Sequence, residues 1–256
     1  MGSSAVVQRL VRVSRRPWIV ELSLVFPLYW GYELLRSRAP HRVALAFWNA
    51  HTLEAFERAH GMAVELTFNR FVFDNVWLSA VTSIWYQLTH EIVTLGVLLW
   101  LWFRHPSSYR PLRTALVVST LAGLVVYWIV PLAPPRFSLP GAVDTMLARP
   151  VLFAGWHSVT HLENLYAAMP SLHVAWATWS ALAIVVASGH PRRHLAWAYP
   201  AITTFVVLGT ANHYLLDTIA GATDVGLAWI VTWRLVRGRW TQSAPTAAQP
   251  TGAGSV

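Results

Sequence analysis

Three groups of side chains have the types and spacings that phosphoryl transfer needs. His213 and Asp217 stand four residues apart. On a helix such positions are neighbours, so the carboxylate can hold one imidazole nitrogen, fix the tautomer and leave the other nitrogen to attack. The same pair serves equally as a structural tie, and the two residues alone leave both readings open. Pro170-Ser171-Leu172-His173 has the form of a helix start with Ser171 as N-cap. A helix N-terminus offers N–H groups and positive partial charge to an anion, and His173 in the first turn aims at the same place. An ordinary capped helix with an interfacial histidine is the alternative. Pro134-Pro135-Arg136 is the third group. A guanidinium fork matches phosphate oxygens, although taken alone Arg136 reads more readily as a charge that stops a membrane helix.

The elements that must position these residues are written in the composition. The chain has 256 residues, of which 55% are hydrophobic and 12% charged, with mean hydropathy +0.43. Soluble domains carry about 25% charged residues, so this is an integral membrane protein. Fifteen Trp and eight Tyr suit interfacial aromatic belts. The net charge is +8 and every basic residue is Arg. No basic run interleaves with stacking aromatics, so no nucleic-acid partner is expected. The absence of Cys excludes disulfides, zinc–thiolate sites and thiol nucleophiles.

Apolar runs predict six membrane helices in an all-α fold, at residues 18–35, 77–103, 112–130, 172–188, 195–208 and 214–236. The first is read as an anchored helix rather than a cleaved leader. Residues 36–74 are too charged to span. Val43, Phe47, Ala50 and Leu53 recur there at helical spacing, with Gly61 as a stop, which predicts a surface-lying amphipathic helix. Residues 1–16 form a cytoplasmic tail and 17–240 a single six-helix catalytic domain with its core at 77–236. Residues 241–256 form a disordered tail rich in Pro, Ala, Gly, Ser and Thr. With both termini inside, inner segments hold twelve Arg and outer ones seven, which favours that orientation. The 131–170 loop and the starts of the fourth and sixth helices then share the outer face.

Two further sets need weighing. Tyr86, His90 and Glu91 lie inside a predicted span, where polar side chains tend to line a cavity. Tyr86, His90 and Tyr166 are candidate contacts for a headgroup or acceptor, and a satisfied interhelical network is the competing reading. His157, His161 and Glu163 have a spacing that suits a metal, but histidines in a loop at a membrane surface are common and no metal site is assigned. The tryptophans at 100, 102, 176, 179, 229 and 233 are read as lipid-facing or core.

Taken together, Arg136, the Pro-Ser-x-His block and the His-x3-Asp block, on one face of a helical membrane protein, resemble the phosphatidic acid phosphatase type 2 superfamily. The likeness runs over Ala133-Pro134-Pro135-Arg136, Ala167 through His173, and Thr210-Ala211-Asn212-His213-Tyr214 with Asp217. It is closer to the inositol phosphorylceramide synthase-like, inositolphosphotransferase branch, in its actinobacterial form. The resemblance implies a phosphohistidine nucleophile at His213, an orienting acid at Asp217 and a leaving-group acid at His173. Ser171 and Arg136 would bind phosphate, and neither metal nor cofactor would be needed; apart from the resemblance, Asn212 is read as a neutral donor to the phosphate. The phosphatase pattern carries a Lys where this chain has Ile129, an Arg where it has Val207, a Pro at Phe137 and a Gly at Leu172. Two phosphate-neutralising cations are thus replaced, which suits a transferase acting on a phosphodiester-type lipid.

The expected function is a membrane-embedded lipid phosphatase or phosphotransferase at the outer face, transferring a phospho-headgroup to a hydroxyl acceptor. A lipid phosphate monoesterase is the nearest alternative, and a catalytically inactive lipid-binding protein is the alternative of another class.

Overall fold

The computed structural model describes Trp30, Gly31, Leu34 and residues 42–148 and 166–240. Its first long element is α1 (Val43–Ala59). The helix is present where the apolar spacing put it, but its buried stripe is different. Ala46, Ala50, Glu54 and Glu57 face inward, while Val43 and Trp48 are exposed. The reason is close approach: small side chains let α1 lie against the 131–133 segment. There the Ala133 N–H donates to the Ala46 carbonyl at 3.1 Å, and the Asn49 side chain donates to the Pro131 carbonyl at 2.7 Å. Gly61, with φ of +68°, ends the helix as expected. The Met62 N–H reaches back to the Glu57 carbonyl at 2.7 Å, a closure that needs a left-handed residue between.

The helices α2 (Glu65–Asp74) and α3 (Val76–Ile84) follow. Asn75 caps α3 by accepting from the Leu78 N–H at 3.0 Å. One π turn, Trp85–Thr89, then leads into α4 (His90–Arg104). After α4 come α5 (Pro106–Ile129), α6 (Leu172–Ala187), a 3-10 stretch at Pro191–Trp197, α7 (Ala198–Gly209) and α8 (Leu215–Trp240). Among the described residues there is no β-strand, only one parallel bridge between Leu132 and Ala167.

Among the described residues, two helices are long and apolar enough to cross a membrane, α5 over Pro106–Ile129 and α8 over Leu215–Leu235, and α6 is a shorter apolar helix. Six were expected. The first expected run lies outside the described residues except for Trp30, Gly31 and Leu34. The second is divided by the π turn at its polar cluster. The fifth is part 3-10 helix followed by 12 α-helical residues, about 18 Å at 1.5 Å per residue and short of a hydrocarbon core. Both predicted tails, and His157, His161 and Glu163, also fall outside the described residues.

Helix α6 is apolar on every side, which requires neighbours all round; α4, α5, α7 and α8 supply them. Trp179 is fully buried, and its indole N–H donates to the Leu112 carbonyl at 2.8 Å. Trp176 donates to Thr120 Oγ1 at 3.0 Å. These two tryptophans are therefore core, whereas Trp233 is exposed. Two glycines set helix separations at the site end. A Cβ at Gly123 would lie 2.8 Å from Leu172 Cδ2, so the Leu172 side chain occupies space that Gly123 vacates. A Cβ at Gly221 would lie 2.3 Å from the Ser171 carbonyl oxygen. The starts of α6 and α8 are in backbone contact there because position 221 has no side chain.

Candidate active site

Ser171 caps α6 as the sequence predicts, in extended conformation, with its Oγ 3.5 Å from the Val174 N–H. Its own N–H donates to the Asp217 carbonyl at 3.0 Å, which joins the two helix starts directly. The preceding residue is pinned from another side, since the Tyr127 hydroxyl at the end of α5 donates to the Pro170 carbonyl at 2.9 Å.

His213 is not on a helix. It lies in the turn 211–214 before α8, and Ala211 in that turn has φ of +54°. The approach of His213 and Asp217 therefore does not come from helical periodicity. It comes from capping: Asp217 Oδ2 accepts the Tyr214 N–H at 3.0 Å, which folds the turn back over the first helical residues. The same oxygen lies 3.6 Å from His213 Nδ1, slightly beyond hydrogen-bond length, as is common before a substrate tightens a site. Both side chains are buried. The turn is also held from behind, because the Val207 carbonyl accepts the N–H groups of Asn212 at 3.0 Å and His213 at 3.3 Å.

The rings of His173 and His213 stand 5.9 Å apart, centroid to centroid, at 59°. The two imidazoles are therefore neighbours, although they come from different helix starts. On its other side His173 is enclosed by two rings from the π turn region. Tyr86 stacks on it at 4.2 Å and 21°, and His90 meets it at 4.2 Å and 56°. A π turn inserts one extra residue into a helix and is frequent at functional sites; here it falls between Trp85 and Thr89, beside both contact residues.

Arg136 is brought to the same end by its backbone, whose N–H donates to the Ala211 carbonyl at 2.9 Å. Its guanidinium lies over Phe137 at 4.7 Å, and Nε is 3.4 Å from Asp144 Oδ2. Phe137 is thus a platform for the cation. Asp144, which the sequence reading did not single out, holds one edge of it. Asn212 is placed differently from a phosphate donor: its Nδ2 donates to Thr210 Oγ1 at 2.8 Å, while Oδ1 is buried with no hydrogen-bond partner. Tyr166 lies apart, its ring 6.2 Å from Phe47 and its carbonyl accepting the Leu132 N–H at 2.7 Å. The hydroxyl of Tyr214 meets Ser138 Oγ at 2.8 Å and locks the Arg136 turn to the His213 turn.

Two residues that sequence reasoning missed complete the arrangement. Glu65 Oε1 accepts the Leu215 N–H at 2.9 Å, and Glu57 Oε1 accepts the Leu216 N–H at 2.7 Å. Burial pushes the Glu57 carboxyl up from 4.5 to about 8; the Leu216 N–H opposes that rise and the Glu65 carboxyl adds to it. Buried acidic residues at helical spacing on α1 were a signal that could have been questioned. Their target, 150 and more residues away, was not legible. An apolar groove of about 330 Å³ opens between α6, α7 and α8, lined by Val174, Thr178, Trp197, Leu215 and Ile219 among others.

The geometry agrees with what comparison with known proteins finds. The sequence model of the PAP2 superfamily matches residues 51–231, well over half of the chain, and the protein belongs to that superfamily. No curated protein sequence matches it. Among solved structures the fold is similar to the crystal structure of LpxE from Aquifex aeolicus, with a TM-score of 0.51 and 17% identity over 67% of this chain and 96% of that one. Family membership supports a phosphatase whose substrate is a lipid phosphate.

Proposed function

We propose that this protein is an all-helical membrane enzyme that moves a phosphoryl or phospho-headgroup from a lipid to a hydroxyl acceptor through a phosphohistidine on His213. The observation that carries the reading is the pair of imidazoles 5.9 Å apart, one of them backed by a buried carboxylate at 3.6 Å. His213 Nε2 attacks phosphorus as the bond to the leaving oxygen breaks, while Asp217 holds Nδ1–H and stabilises the imidazolium that forms. His173, as imidazolium, gives its proton to the leaving oxygen. An acceptor hydroxyl, or water, then attacks the phosphohistidine. The P–N bond breaks, and neutral His173 takes the acceptor's proton. Arg136 and the N–H groups at the Ser171 helix start carry the phosphoryl charge. Asn212 organises the turn through Thr210 and reaches phosphate only if that bond is exchanged.

Transfer to a hydroxyl is favoured over release of inorganic phosphate by the charge available. The position where the phosphatase pattern has a second Arg is Val207, which is fully buried and whose carbonyl holds the His213 turn. Ile129 stands at the end of α5 with an exposed apolar side chain. A phosphomonoester dianion asks for more cations than this site offers; a phosphodiester monoanion asks for fewer. Tyr86 and His90 form the wall behind His173 where the leaving group and acceptor must pass. The groove between α6, α7 and α8 gives an acyl chain a place beside the chemistry, open to the lipid. Both termini face the cytoplasm in this reading, and the site faces the opposite side.

The test is incubation of purified protein in mixed vesicles with lipid phosphates and phosphodiesters, with and without polyols, followed by mass spectrometry. A phospho-polyol formed only when the polyol is present supports transfer. Inorganic phosphate as the sole phosphorus product overturns transfer in favour of a monoesterase. No product from any lipid with wild-type protein favours the inactive lipid-binding alternative.

A further inference from the structure

Three consecutive N–H groups enter α8 beside His213, and each goes to a different carboxyl group. The Tyr214 N–H donates to Asp217 Oδ2 at 3.0 Å, the Leu215 N–H to Glu65 Oε1 at 2.9 Å, and the Leu216 N–H to Glu57 Oε1 at 2.7 Å. Ordinarily a helix start is capped by its own preceding residue or by water. Here two of the three acceptors come from the α1–α2 hairpin, 150 and 159 residues away in sequence. Glu57 and Glu65 are 0% and 2% exposed, and no Arg or His among the described residues forms an ion pair with either. Burying two carboxyl groups without a cation is costly. An apolar contact would have served a purely structural interface better.

We propose that Glu57 and Glu65 are positioning residues of the reaction, a buried acid pair that grips the first turn of α8 and so fixes His213 and Asp217 against the phosphoryl group. The inference rests on the function proposed above, because it assigns these residues to His213 as nucleophile.

The chemistry of the pair follows from its surroundings. The groups that act on Glu57 are Glu65 from α2, and Asp217 and the Leu216 N–H from α8; on its own helix Glu54 is engaged with Arg58. Glu57 Oε2 is buried with no hydrogen-bond partner among the described residues, and burial first, then the neighbouring Glu65 carboxyl, push the Glu57 carboxyl up to about 8. At neutral pH Glu57 is therefore protonated and adds no charge beside the first turn of α8. Above about pH 8 Glu57 ionises. The new charge, facing Glu65 and Asp217, then loosens the grip on the turn that carries His213.

Two readouts test this. First, Glu57→Ala lowers kcat by about 10-fold or more with KM within about 3-fold, because it loosens positioning rather than binding. Glu57→Gln, which keeps an acceptor for Leu216 and carries no charge, restores kcat to within about 3-fold of the native chain. A Glu57→Ala chain with native kcat overturns the proposal, as does failure of Gln to restore what Ala loses. Second, His213 is titrated without substrate by ¹⁵N-histidine chemical shifts in detergent. The native chain shows an added step near pH 8 as Glu57 ionises, and Glu57→Gln lacks it. Superimposable curves overturn the proposal even where the Ala variant fails to fold. Because the titration needs no turnover, an inactive wild-type protein counts against the proposed function and leaves the acid pair to be decided by the shifts.

Discussion

Placing one methyl group at position 221 tests whether contact between the two helix starts builds the site. In Gly221→Ala the new Cβ would lie 2.3 Å from the Ser171 carbonyl oxygen and 3.2 Å from its carbon, where ordinary contact begins at 3.4 Å. The obstructing atoms are backbone and cannot rotate away, so α8 must withdraw from α6 by about 1 Å. Overpacking of this kind costs about 1–3 kcal/mol. It also widens the 5.9 Å separation of the imidazoles, and a misplacement of about 1 Å is worth on the order of 10² in rate. Gly226 on the same helix has nothing within 4 Å of a built Cβ. Gly226→Ala is the control, and it gains about 0.5–1 kcal/mol of helix stability. The assays are thermal unfolding in detergent and kcat on a lipid phosphate. The reasoning predicts a lowered midpoint and about 10²-fold lower kcat for position 221 alone. Equal behaviour of the two variants, or native kcat in Gly221→Ala, would refute it.

Asp217→Asn keeps the size of the side chain but loses the charge that steadies His213, and turnover should drop by up to about 10⁴-fold, as in the comparable triad change; circular dichroism checks that the fold survives. His173→Ala should lose about 10²–10⁴-fold on an alkyl phosphate ester and far less on a nitrophenyl ester, whose leaving group needs no proton; equal losses on both would remove the acid role. For stability, Glu57 holds its proton more tightly folded than unfolded, with a value raised from 4.5 to about 8. Its contribution is complete below about pH 4.5 and is lost as pH rises toward 8. The unfolding midpoint of the native chain should therefore decline more across that window than that of Glu57→Gln, as differential scanning fluorimetry would report.

The parts of the site that were legible in the sequence are those set by local rules. Ser171 is a cap because a serine after proline and before an apolar run has little else to do, and the structure has it as the N-cap of α6. The long apolar run ending at residue 130 is one helix, α5, although it starts earlier than hydropathy alone implied, at Pro106. Long-range contacts were not legible. The His213–Asp217 approach looked like helical spacing, yet it arises from a capped turn. Glu57 and Glu65 looked like solvent-facing charges of a surface helix, because nothing in their own neighbourhood points to Leu215 and Leu216. Asp144 beside Arg136 joins two loop segments by tertiary contact. The π turn was hidden for a related reason: a helix with one extra residue has the same hydropathy as one without.

The most direct test of the central claim is to trap the intermediate. Native protein is mixed with a phosphorus-labelled lipid, quenched in alkali within a turnover, digested and sequenced by mass spectrometry. The account predicts acid-labile, alkali-stable phosphate on the peptide that holds residue 213, and no label in His213→Ala. Label on another side chain, or an active native enzyme whose product forms by a single inverting displacement at a chirally labelled phosphorus, would contradict it.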